Sequence, residues 1–220
     1  VTLGTPTDLN FGVDVSFSVA YWVRFTGAPG DLPFLCSAVN SYGNFGFTFA
    51  PSYNGGGWSW SLGNGAGYIG VYGPDNSIND GTWHHLVHTF DRAGAVATGI
   101  TYLDGVQVDA RSVAVAGNID SGNMVNIGQD PTGVYPESGT AELDDLGVWR
   151  RVLNGYEALS IYTAGQQSGS SFDTGGPIQL TVQRDGNDLE LIWQAGVLCE
   201  CTEVNGTYTP VSGATPPYFK

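Results

Sequence analysis

The 220-residue chain carries 21 acidic side chains against 7 basic ones, a net charge of −14. That balance excludes a phosphate-backbone binder built on a basic stripe, and it excludes docking on anionic membranes. The length supports a sizeable core, in one large domain or a domain with an appendage, and an acidic surface suits a soluble secreted protein or one that collects hard cations.

Val1 opens directly in an alternating, strand-like segment, as expected of a mature or trimmed form with its leader removed. Val15 to Phe25 places Phe17, Val19, Tyr21, Val23 and Phe25 at period two, the mark of a long half-buried strand. Residues 32–74 carry no charge, yet ten glycines and three prolines break every apolar run well short of a membrane span. Within that stretch Phe45, Phe47 and Phe49 alternate. After the glycines of 55–57, Trp58, Trp60 and Leu62 alternate again, and Tyr68 to Tyr72 is short and apolar. Trp83 to Phe90 reads as a strand opened by an Asp80-Gly81 turn. Ile100 and Tyr102, then Asp104-Gly105, then Val106 and Val108 form a two-residue hairpin, because Asp-Gly supplies the positive backbone angles of a type I′ turn. Met124 to Gly128 is a further strand. Many short strands separated by turn residues indicate an all-β, two-sheet antiparallel sandwich.

One short helix is expected after residue 153. Asn154 caps it, Glu157 completes a capping-box pair, Leu159 and Tyr162 give a packing stripe, and Gly165 ends it. Gln166 to Gly176 is a Ser/Gly linker. From Pro177 the strand pattern restarts: Ile178 to Val182, an Asp185-Gly186-Asn187 turn, Leu189 to Trp193, then Val197 to Val204. At 44 residues this tail is too short for a complete immunoglobulin-type sandwich. Leu189, Leu191 and Trp193 share one face, so the tail needs cover from the main domain or from another chain. The cysteines are Cys36, Cys199 and Cys201. Cys199 and Cys201 point to one face of a strand and cannot comfortably bond each other there. A bridge from one of them to Cys36 and three buried thiols both remain open.

The segment from Gly139 to Tyr162 runs Gly-Thr-Ala-Glu-Leu-Asp-Asp-Leu-Gly-Val-Trp-Arg-Arg-Val-Leu into the expected helix. It resembles the closing strand of the laminin G-like (concanavalin A-like) jelly-roll domain. The Asp80-Gly-Thr-Trp-His-His-Leu-Val-His-Thr-Phe-Asp91 and Thr101-Tyr-Leu-Asp-Gly-Val-Gln-Val108 segments resemble the paired central strands of that family. Leu9-Asn-Phe-Gly with Phe17-Ser-Val-Ala-Tyr-Trp-Val23 resembles its opening strands. The resemblance covers about residues 1–165. It implies a jelly-roll sandwich over 1–165, the linker over 166–176 and a short β appendage over 177–220, of a kind often found after such domains in secreted bacterial proteins.

An acidic pair, Asp144 and Asp145, stands directly before the apolar Leu146, Val148 and Trp149. A carboxylate at the mouth of a core strand calls for something to offset its desolvation, and a bound cation is the simplest partner. The resemblance implies a structural Ca2+ held by Asp144 with backbone carbonyls of the opening loop, where Asn10 and Asp14 lie. Aromatic side chains in the uncharged stretch suit sugar rings, with Tyr42, Tyr53, Trp58 and Tyr135 as ligand-binding candidates; alternating Trp58 and Trp60 equally fit a core. Related sugar-cleaving enzymes resemble one another by an E-x-D-x-x-E or E-x-D-x-E run, but Glu142-Leu-Asp144-Asp-Leu-Gly147 lacks the second glutamate, and retaining hydrolysis needs two carboxyls about 5–5.5 Å apart. His84, His85 and His88 have no Cys or Glu partner at metal spacing and are expected as packing or surface residues. The expected function is a secreted, non-catalytic carbohydrate-binding or adhesion module with structural calcium, acting outside the cell or at its surface on a glycan. A structural subunit of an extracellular fibre or surface assembly, self-associating through the C-terminal strands, is the alternative, and a glycoside hydrolase the second alternative.

Overall fold

The structure, a computed structural model, describes residues 1–30, 32–38, 45–52, 55–133, 139–168, 180–186, 188–193, 197–203, 206–215 and 217–220. The chain divides into two compact units, Val1–Leu153 and Asn154–Lys220. The expected helix therefore falls in the second unit and not in the sandwich.

The first unit is a two-sheet antiparallel jelly-roll sandwich. Its strands are β1 (Thr2–Gly4), β2 (Phe17–Arg24), β3 (Leu35–Cys36), β4 (Phe45–Pro51), β5 (Trp58–Asn64), β6 (Tyr68–Tyr72), β7 (His84–Asp91), β8 (Thr98–Leu103), β9 (Val106–Ser112), β10 (Val125–Asn126) and β11 (Glu142–Trp149). One sheet has the order β1-β10-β3-β4-β5-β6, the other β11-β2-β7-β8-β9. The alternation read in the sequence sets which side chains meet. Phe17, Val19, Tyr21 and Val23 of β2 join Phe47, Phe49, Trp58, Trp60 and Leu62 of the facing sheet in one core. Rings stack or cross throughout it: Phe11 on Phe17 at 4.0 Å, Phe17 on Phe90 at 4.7 Å, and Trp60 edge-on to Phe90 at 5.0 Å. Such pairs add about 0.5–1.5 kcal/mol each beyond the area they bury.

His88 is buried within this apolar set, between the Tyr21 hydroxyl and Thr101 Oγ1, each at 3.0 Å. His85 points to the other face of β7, against Trp22 at 5.0 Å between ring centroids. The Asp104-Gly105 turn has the positive backbone angles expected, φ 51° and 79°. The strand expected over Met124 to Gly128 shortens to Val125–Asn126. Gly128 adopts φ 81° and donates its N–H to the Pro33 carbonyl at 2.7 Å, which takes the backbone out of the ladder.

In the second unit, α1 spans Gly155–Ser168. Its capping box forms as expected: Asn154 Oδ1 accepts from the Tyr156 and Glu157 amides at 2.9 and 3.0 Å, and Glu157 Oε2 accepts from the Asn154 amide at 2.9 Å. Gly165 lies inside the helix and does not end it; an interior glycine costs only about 0.5–1 kcal/mol relative to alanine. Helix thus occupies the first positions of the expected linker, and 169–179 lie outside the described residues. The tail forms β12 (Thr181–Asp185), β13 (Asp188–Ile192), β14 (Cys199–Glu200), β15 (Thr209–Pro210) and β16 (Tyr218–Phe219). They pair as a β12-β13-β16 sheet and a β14-β15 ribbon. Trp193 is buried, while Leu189 is half exposed on the same face. The described cysteines form no disulfide; Cys36 Sγ lies 3.3 Å from Thr48 Oγ1.

Candidate functional site

A concave feature of the sandwich is an open groove of about 620 Å³, within the range of about 300–1,000 Å³ usual for small-ligand sites. It lies where β2 and β11 meet the loop after β2, and Arg24, Phe25, Thr26, Pro29, Gly139 and Glu142 are among its lining residues. Glycine makes the walls possible. Gly27 and Gly30 turn the loop at φ 70° and 79°, a region open to glycine and strained for most side chains. A β-carbon on Gly139 would overlap the Pro29 carbonyl. The loop is tied down from the opposite side by an antiparallel bridge between Thr26 and Asp80 and by the Gly81 amide donating to the Phe25 carbonyl at 3.0 Å.

The charged lip of the groove is built by strand register. Glu142 sits directly across from Arg24 in the β11–β2 ladder. Arg24 donates through Nε to Glu142 Oε1 at 3.1 Å and through Nη2 to Oε2 at 2.5 Å. The guanidinium lies over the Trp83 ring, 5.0 Å from its centroid. A planar fork held on an aromatic face and clamped by a carboxylate keeps its remaining N–H donors in a fixed direction. Beyond Trp83, Asp80 Oδ1 accepts from the Thr82 amide at 2.8 Å and from its hydroxyl at 2.7 Å, and these bonds hold the Asp80 carboxyl below its usual range. His84 stands between Asp104 Oδ2 at 2.8 Å and Asp80 Oδ1 at 3.3 Å.

The residues expected to hold calcium are not brought together. Asp144 is exposed, so it has no desolvation to offset. Its Oδ1 accepts from the Asp145 amide at 2.9 Å, and Asp145 adopts φ 46° where the β11–β2 register shifts between Asp144 and Gly147. The acidic pair makes a β-bulge, a place where aspartate tolerates the left-handed conformation. Asp144 pairs with Trp22 and Trp149 with Ser18, so Asp144 lies about 13 Å from the Trp149 end of β11 at a strand rise of about 3.3 Å per residue. The opening loop meets the far end: Arg150 Nη1 donates to the Asp8 and Asn10 carbonyls at 2.8 and 2.7 Å. Asn10 and Asp14 are exposed on that loop. The donor set does not fit a shared ion, and among the described residues no group of three or more His, Cys, Asp or Glu is placed to hold a metal.

Of the aromatic candidates, Trp58 is 1% exposed and belongs to the core; its period-two partnership with Trp60 is what buries it. Tyr42, Tyr53 and Tyr135 lie outside the described residues. Arg24, Trp83 and the 25–30 loop were not singled out from the sequence, where Arg24 reads as one scattered basic residue. The signal available was Trp83 directly after a turn, and only the register places Arg24 over it and across from Glu142.

Comparison with known proteins agrees with the sandwich. Over 161 residues the chain is 29% identical to C-reactive protein 1.1 of Limulus polyphemus, covering 70% of this chain and 62% of that one. The chain thus spans about 62% of the length of the curated relatives it matches. The binding domain of Paraclostridial Mosquitocidal Protein 1 superposes with a TM-score of 0.60 at 14% identity, covering 97% of this chain and 57% of that one. The binding domain of botulinum neurotoxin DC, solved in complex with rat synaptotagmin II, superposes with a TM-score of 0.54 at 13% identity, covering 89% and 53%. At these identities the structures share the fold. The sequence model of the concanavalin A-like lectin/glucanases superfamily matches residues 2–159, which takes in every strand of the two packed sheets, and the chain belongs to that superfamily.

Proposed function

We propose that the sandwich is a non-catalytic recognition module that binds a hydroxyl-rich ligand, a glycan of a cell surface, in the groove beside Arg24. The observation that carries this reading is the Arg24–Glu142 pair laid on Trp83 at the lip of a 620 Å³ groove. A guanidinium and a carboxylate side by side offer donors and acceptors to neighbouring hydroxyls, and the indole beneath the guanidinium holds it in place. Fold relatives described as binding domains support a binding role, and action outside the cell belongs to the same proposal. Among the described residues no helix is long and apolar enough to cross a membrane. The opening loop needs no calcium in this reading, because arginine already holds its carbonyls.

The test is a glycan array probed with the purified chain, followed by titration of the strongest binder against Arg24→Ala. Binding that weakens about tenfold or more in the variant, the cost of a lost charged hydrogen bond, supports the reading. An array with no signal, or an Arg24→Ala variant that binds like the wild type, contradicts it.

Self-association is the second reading. Val182 and Leu189 lie on one face of the β12–β13 pair and are about half exposed. Analytical ultracentrifugation of the wild type beside a Val182→Ser/Leu189→Ser double variant decides it: a concentration-dependent oligomer lost in the variant supports association, and a wild-type monomer up to high concentration removes it.

A further inference from the structure

We infer that Arg92 is a built-in cation that does for the opening loop what the family resemblance assigns to calcium, so that the loop is locked without metal. Carbonyl oxygens of residues 8, 10, 11 and 12 all accept from cationic side chains, and backbone carbonyls of this kind are also ligands for a hard cation. Those oxygens are taken by guanidinium groups of this chain. Arg92 Nη1 donates to the Phe11 carbonyl at 3.3 Å and Nη2 to the Gly12 carbonyl at 2.8 Å. Nη2 also donates to the Gly117 carbonyl. The next carbonyls along, Asp8 and Asn10, go to Arg150, whose guanidinium lies 5.6 Å from the centre of the Phe11 ring. The amides of the same loop are held by an anion: Asp120 Oδ1 accepts from the Phe11 and Gly12 N–H groups at 2.7 and 3.0 Å.

Arg92 is only 7% exposed, and a charge so buried persists only when it is paired and hydrogen-bonded. Burial draws its pKa down, while the Asp120 and Asp14 carboxylates raise it. The chain therefore has a cation, three carbonyl ligands and two nearby carboxylates at one place, with the positive charge covalently attached. The fork geometry of arginine reaches several carbonyls at once. A lysine ammonium concentrates its donors at one point and cannot reproduce that span.

Hydrogen exchange over residues 8–15 tests the inference, measured on the full chain with chelator and with millimolar calcium, and on Arg92→Lys and Arg92→Gln. The expected result is wild-type protection of the Phe11 and Gly12 amides that is the same in both solutions, and protection at least tenfold lower in both variants. Wild-type protection that falls on chelation and returns with calcium overturns the inference, whether or not the variants fold. Variants that keep wild-type protection overturn it as well.

Discussion

Arg24 and Glu142 are about half exposed, so their ion pair contributes little to stability, about 0–1 kcal/mol. Glu142→Gln should therefore leave the melting temperature within a few degrees of the wild type while weakening glycan binding. Turnover of a β-glucan or galactan by the wild type that vanishes in Glu142→Gln would show the groove to be catalytic and the present reading wrong. His88 makes the opposite kind of residue-scale claim, about stability alone. Burial pushes its pKa down to about 3, and that of His85 down to about 4. Both imidazoles are held neutral by the fold, whereas in the unfolded chain they take a proton below about pH 6.5. Their contribution is fully present above that pH and is lost as pH falls toward the folded values, at roughly 1.4 kcal/mol per pH unit for each group. Urea midpoints at pH 7.5, 6 and 5 should fall, and should fall less steeply in His88→Gln. Equal slopes in the two proteins would place the acid sensitivity elsewhere.

The bulge in β11 is the element that the residue pattern does not reveal. An acidic pair before an apolar run looks the same whether it binds a cation or bends a strand, because the difference lies in one backbone angle and in how far Asp144 emerges from the sheet. The strands, by contrast, were legible: period two in Phe17 to Val23, in Phe45 to Phe49 and in Trp58 to Leu62 is imposed by the pleat itself, and the same alternation that places Trp58 in the core removes it from any binding surface. Legible too was the capping box at Asn154, since its donors and acceptors are local. The groove was not, because it depends on which residue of β11 faces Arg24, and register is a property of two distant segments. The bulge has its own test. At φ 46° glycine should serve as well as aspartate, while a β-branched residue meets a left-handed cost of about 1–2 kcal/mol. Urea denaturation should find Asp145→Gly close to the wild type and Asp145→Val less stable by that amount; the reverse order would deny the bulge.

At the scale of the whole molecule, a sandwich belonging to the lectin/glucanases superfamily is followed by a second unit that begins with α1 and continues as short strands. Val182, Leu189 and Phe219 leave apolar surface on those strands, so removing Pro177–Lys220 should alter solubility, stability or self-association. No change in any of the three would make the tail an independent appendage. The function proposed rests on the groove of the first unit, and a nuclear magnetic resonance titration with the best-bound glycan addresses it most directly. The Trp83 indole N–H, the Arg24 Nε–H and the backbone amides of Thr140 to Glu142 should shift together and saturate with one dissociation constant. Saturable shifts confined to other parts of the sandwich, with these signals unmoved, would contradict it.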